Sequence, residues 1–148
     1  MAAAVFEKIN LRQLYNKYNR ELFDGTLPGD TPLSFSGRLK TATGITKGRV
    51  TFTDATQQWL AKQGRKTDAV VTDYSIVMST QVRYEEELFA PFLIHEMIHL
   101  WLTLNGYPME QHGPTFKKKA REIGAKAGME IPLTHNLTGD EELNVKPK

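Results

Sequence analysis

Two histidines stand four residues apart in His95-Glu96-Met97-Ile98-His99, an H-E-x-x-H pattern. On an α-helix that spacing is one turn, a rise of about 6 Å, so both imidazoles point the same way. Two neutral ring nitrogens placed like this can bind one zinc ion at about 2.0–2.1 Å. Glu96, next in the chain, can then approach a water on that ion as a general base. With four histidines and eleven glutamates in the whole sequence, chance supplies about 0.01 such matches. His112 follows closely, so three of the four histidines fall within eighteen residues.

These groups fit amide hydrolysis. Zinc would act as Lewis acid and source of the nucleophile, and Glu96 would take a proton from water and hand it to the leaving amine. A donor for the tetrahedral oxyanion is also expected; Tyr107 lies near in sequence, but its place favours packing. Two plainer readings compete. A pair of core histidines satisfied by carbonyls would leave the Glu96 carboxylate in an apolar helix, at a cost of several kcal/mol unless a cation or donors stood beside it. A purely structural zinc usually has four ligands rich in cysteine, whereas this chain has no cysteine and three histidines leave a fourth position open. The same absence rules out disulfides and a thiol nucleophile. His135, between Thr134 and Asn136, reads as a surface or capping group and only secondarily as a fourth ligand or substrate contact. A ligating imidazole also needs a carboxylate or carbonyl to accept its other N–H; the sequence does not say which, and Asp54, Asp68, Asp73 and Glu110 are the carboxylates available.

The elements that must position these groups are readable from periodicity. Glu85 to Asn105 is a helix with apolar residues on nearly every side, from Leu93, Ile94, Met97 and Ile98 to Leu100, Trp101 and Leu104, so it is buried. Pro91 requires that it begin or kink there. Asn105-Gly106 and Pro108 end it. The next helix starts near Gly113-Pro114, buries Phe116, Ala120, Ile123 and Ala127, and stops at Gly128. Upstream, Leu11, Leu14, Tyr15, Tyr18 and Leu22 form one face of an N-terminal helix; Asn10 is its cap, Ile9 and Leu14 are spaced as a staple, and Asp24-Gly25 ends it. Leu33 with Phe35, Val50 with Phe52, and Tyr74 to Met78 read as strands of a small antiparallel or mixed sheet. Ala55 to Lys66 fits a short helix or a strand equally. Beyond Ile131 the chain reads as a loop or strapped tail.

At 148 residues the chain is expected to form a single domain, 1–148, with a core of about 10–130 and a tail from 131. Forty per cent hydrophobic and 24% charged residues, with mean hydropathy −0.43, fit a folded soluble protein rather than a disordered or membrane chain. No stretch reaches the roughly 18 apolar residues of a spanning helix, and the first residues lack a signal-peptide run. An intracellular protein, cytoplasmic or DNA-associated, is expected, and a monomer is assumed. A formal net charge of +2 does not by itself indicate a polyanionic partner.

The residues also carry a resemblance. Leu14-Tyr15-Asn16-Lys17-Tyr18-Asn19 through Leu22-Phe23-Asp24-Gly25-Thr26-Leu27-Pro28, then Leu33-Ser34-Phe35-Ser36, Ile76-Val77-Met78-Ser79, His95-Glu96-Met97-Ile98-His99 and His112-Gly113-Pro114-Thr115-Phe116 together resemble the SprT-like (Spartan-type) zinc metallopeptidase family. The likeness runs from about Leu11 to Ile123. The zinc motif is widespread, so the later His-Gly-Pro-x-Phe and the N-terminal helix narrow the choice. The resemblance implies an α+β, zincin-like minimal metalloprotease domain. Its parts would be an N-terminal helix, a small three-stranded sheet, an active-site helix and a following ligand-bearing helix. It implies one Zn2+ held by His95, His99 and His112, Glu96 as general base, and a protein or peptide substrate, for several members one attached to or crosslinked with DNA. The sequence has no cysteine ribbon of the kind found in longer members.

Lys117, Lys118, Lys119 and Arg121 open the last helix, and Arg38, Lys40, Lys47 and Arg49 surround the strands. The lysines opposite Phe116, Ala120 and Ile123 read first as a solvated face. As a phosphate-contacting surface, Lys117, Lys118 and Arg121 are the candidate nucleic-acid contacts. Trp101 reads as core, and Trp59 is undetermined. The leading expectation is a zinc-dependent endopeptidase. The alternatives are a non-catalytic zinc-containing nucleic-acid-binding or adaptor module, and a zinc hydrolase acting on another amide.

Overall fold

The computed structural model describes residues 10–38, 44–79, 86–108, 112–132 and 141–146. In chain order the elements are α1 (Leu11–Leu22), β1 (Leu33–Ser36), β2 (Gly44–Thr51), α2 (Ala55–Lys62), β3 (Val70–Ser79), α3 (Glu86–Leu104), α4 (Pro114–Ala127) and β4 (Glu141–Lys146). The fold is α+β. The strands form one mixed sheet in the order β1-β3-β2-β4. β1 runs parallel to β3, pairing Leu33 with Ile76, and β2 runs antiparallel to β3, pairing Thr46 with Ile76. β4 lies parallel to β2. The three expected strands are present, and the tail, expected as a loop or strapped tail, supplies a fourth.

α1 starts where the side chain of Asn10 accepts from the Gln13 amide. Ile9, the expected staple partner, lies outside the described residues. The turn after α1 is held by side chains that read its backbone. Asn19 donates to the Leu27 carbonyl at 2.8 Å and accepts from the Leu27 amide at 3.0 Å. Tyr15 donates to the Pro28 carbonyl at 2.7 Å and stands 2.9 Å from the Thr31 hydroxyl. Burial pushes the Tyr15 phenol above its ordinary range, which keeps it a neutral donor. Asp24 and Gly25, both at positive φ, make the reversal.

The core lies between sheet and helices. Ile76 and Met78 of β3, Leu93, Ile94, Met97, Ile98 and Leu100 of α3, and Phe116 of α4 are fully buried. α3 neither begins at Pro91 nor stops there; the proline sits inside the helix, where it leaves one carbonyl of the preceding turn without its usual N–H partner. At the other end Gly106, at φ +97, lets the chain pass so close to Thr67 that a Cβ would meet its carbonyl at 2.6 Å. The Gly106 carbonyl accepts from the Thr67 amide at 2.8 Å, tying the end of α3 to the approach of β3. The undecided segment is the helix α2, capped by Asp54. It leaves Trp59 57% exposed, so that indole is not a core residue. Among the described residues no helix is long and apolar enough to cross a membrane.

Candidate metal centre

His95, Glu96 and His99 sit midway along α3 and are all at most 1% exposed. His112 comes from the chain just before α4 and is half-buried. The three Nε2 atoms form an equilateral triangle: 3.2 Å from His95 to His99, 3.2 Å from His99 to His112 and 3.2 Å from His112 to His95. Ring nitrogens cannot satisfy one another in such a triangle, because each offers either a lone pair or one N–H directed away from the ring. Tetrahedral ligands at about 2.0–2.1 Å from a common ion stand roughly 3.3 Å apart, so the donor set has the spacing of a zinc site. Among the described residues this is the one cluster of three or more side chains able to hold a metal ion.

The tautomer of His95 follows from its neighbour. Its Nδ1 lies 2.9 Å from the Pro132 carbonyl, which can only accept, so Nδ1 carries the proton and Nε2 presents its lone pair to the triangle. Of the two acceptor types expected, carboxylate or carbonyl, a backbone carbonyl does this work for His95. Asp54 caps α2, Asp68 accepts from the Thr53 hydroxyl and Asp73 faces Arg49. Glu110 and His135 lie outside the described residues.

Phe116 forms the floor. Its ring centroid is 4.9 Å from that of His95, 4.6 Å from His99 and 5.0 Å from His112, and the side chain is completely buried. Pro114 starts α4 after Gly113, which places Phe116 in the first turn beneath His112, which precedes the helix. Periodicity identified Phe116 as a core residue; its contact with all three imidazoles is new. Phe116→Ala is expected to cost about 3–5 kcal/mol of stability, seen as a lower urea midpoint at unchanged slope.

Glu96 is oriented from the sheet. The Thr46 hydroxyl of β2 lies 2.8 Å from Glu96 Oε1 and 2.9 Å from the Glu96 carbonyl, and its single proton serves these two acceptors. Gly44, two residues earlier, makes the approach possible. A Cβ there would stand 2.8 Å from the Met78 sulfur and 3.1 Å from Glu96 Cγ. Neither residue was singled out from sequence; a glycine two positions before a threonine in a strand is the faint signal available. Thr46→Val keeps the shape and deletes the donor, so any turnover that uses Glu96 is expected to fall about tenfold, an effect of about 1.4 kcal/mol, with Thr46→Ser restoring most of it.

The basic residues divide. Lys119 places its Nζ 4.2 Å from the Trp101 ring centre and 5.8 Å from that of Phe23, a packing role between helices. Lys118 and Arg121 are exposed and Lys117 is half-buried. Lys40 lies outside the described residues. Tyr107 packs against the core, as its position favoured.

Comparison with known families gives a match over residues 11–135 to the model described as the SprT-like family. That span contains every element from α1 to α4 and all three imidazoles. A search of curated proteins finds no match.

Proposed function

The chain belongs to the SprT-like family, and from that premise we propose that it is a zinc-dependent endopeptidase. The observation that carries this reading is the triangle of three Nε2 atoms, 3.2 Å on every side, two of them from the helix that also bears the buried Glu96 and the third from the chain before α4. His95, His99 and His112 would hold the ion. When bound, zinc supplies a Lewis acid that activates water and polarises a carbonyl. Three protein ligands leave room for water and substrate, unlike a closed structural site.

The chain's own groups do the rest. The Pro132 carbonyl holds the His95 N–H, which fixes the ring so that its lone pair faces inward. Phe116 keeps the three rings from rotating away and excludes water from beneath them. Thr46 binds one Glu96 oxygen, and the carboxylate takes a proton from the attacking water and later releases it to the leaving amine. The surrounding apolar helix strengthens each of these electrostatic contacts.

Proteins attached to DNA are the substrate class proposed within this reading, and Lys117, Lys118 and Arg121, close after His112 in sequence, are the proposed phosphate contacts. If so, retention on single-stranded DNA falls steeply with added salt, whereas a flat dependence assigns these residues to solubility alone.

The activity is tested with casein. Cleavage should vanish on treatment with a chelator and return with one equivalent of zinc, and the products should carry new amino termini. A protein that retains zinc through purification yet cleaves nothing is instead a zinc-containing adaptor.

A further inference from the structure

β2 is the strand nearest the chemistry. It brings Thr46 to Glu96 and has no room for a Cβ at Gly44. One of its edges is paired with β3 and the other with β4, the chain's own C-terminal segment. The register begins at the critical residue: Thr46 is the partner of Glu141, and pairing continues to Thr51 opposite Lys146. The segment also reaches the site from its other end. Ile131 is buried and the Pro132 carbonyl holds His95.

Without β4, this edge of an eight-residue strand would present a row of open N–H and C=O groups beside the metal ligands. Such an edge is a template for any extended chain, because main-chain hydrogen bonds are indifferent to side-chain identity. β4 is short, six residues, and among the described residues it pairs on one side only. A strand held in this way can exchange with a competitor. The register sets Glu142 across from Lys47.

We infer that β4 is an intramolecular occupant of the β2 edge that an extended peptide substrate must displace, so the C-terminal segment restrains the activity of the site. The inference rests on the peptidase reading. It adds a regulated surface and a competitor of known sequence.

The absence of cysteine from the 148 residues allows a clean test in the whole chain. Lys47→Cys with Glu142→Cys places two cysteines on register partners, with Cα atoms about 4.8 Å apart across a sheet, inside the Cα–Cα range of a disulfide. The oxidised and phosphine-reduced forms are compared in two assays, with wild-type protein treated in parallel. One assay is casein cleavage. The other is retention of fluorescein-labelled casein by the same double variant carrying Glu96→Gln, which reads capture without turnover. Oxidation should lower both signals about fivefold or more, and reduction should restore them. Failure of the disulfide to form, or equal retention in the two redox states, overturns the inference. Redox-dependent retention by a protein that cleaves nothing upholds the edge competition and removes the peptidase reading. Cleavage and retention that ignore the redox state do the reverse.

Discussion

Glu96→Gln is expected to lower kcat/KM for casein by about 10²–10⁴ while the protein still binds zinc, the range for loss of a positioned general base. The amide is nearly isosteric and can still accept the Thr46 proton through its carbonyl oxygen, so α3 and the sheet should stay in register. What is lost is the basic oxygen. Zinc content and cleavage must therefore be measured on one preparation. Wild-type turnover by a zinc-loaded variant would remove Glu96 from the reaction, and loss of zinc would make its role structural.

The second large effect is expected at His112. Removing the acceptor behind a metal-bound imidazole already costs about 10–100-fold in metal affinity, so deleting an imidazole itself should exceed about a hundredfold. His112→Ala is the informative choice because this ring is half-buried, whereas His95 and His99 lie inside the core. Truncation there should leave the metal-free fold nearly intact. Added zinc should raise the melting temperature of the wild-type protein through linkage and leave that of the variant unchanged. Equal zinc-induced shifts in the two proteins would mean that His112 is no ligand.

The parts legible in the sequence were those whose signals are local. A four-residue histidine spacing declares its own geometry once it lies on a helix, and Asn10, Asp24-Gly25 and Gly128 mark helix ends with their own side chains or backbone freedom. His112 was legible from the Gly-Pro that starts the next helix. The groups that finish the site were hidden because they are remote and chemically ordinary. Thr46 meets Glu96 across 50 residues of chain, and a threonine in a strand is otherwise explained by its branched side chain. Pro132 acts across 37 residues through its carbonyl, which no residue type announces. This is why the sequence left open which carboxylate or carbonyl would accept the imidazole N–H. β4 was missed for a related reason: Glu141-Glu142-Leu143-Asn144-Val145-Lys146 lacks a strong alternation, and its pairing depends on an edge supplied by β2. α2 was ambiguous because eight residues with a single buried alanine carry little periodicity.

X-ray absorption at the zinc edge, on protein loaded with one equivalent of zinc, addresses the coordination claim most directly. The geometry requires three imidazole nitrogens and one further light atom at about 2.0–2.1 Å, with the imidazole scattering reduced by one ring in His112→Ala. A shell with only two imidazoles in the wild-type protein, or one unchanged by loss of His112, would contradict it.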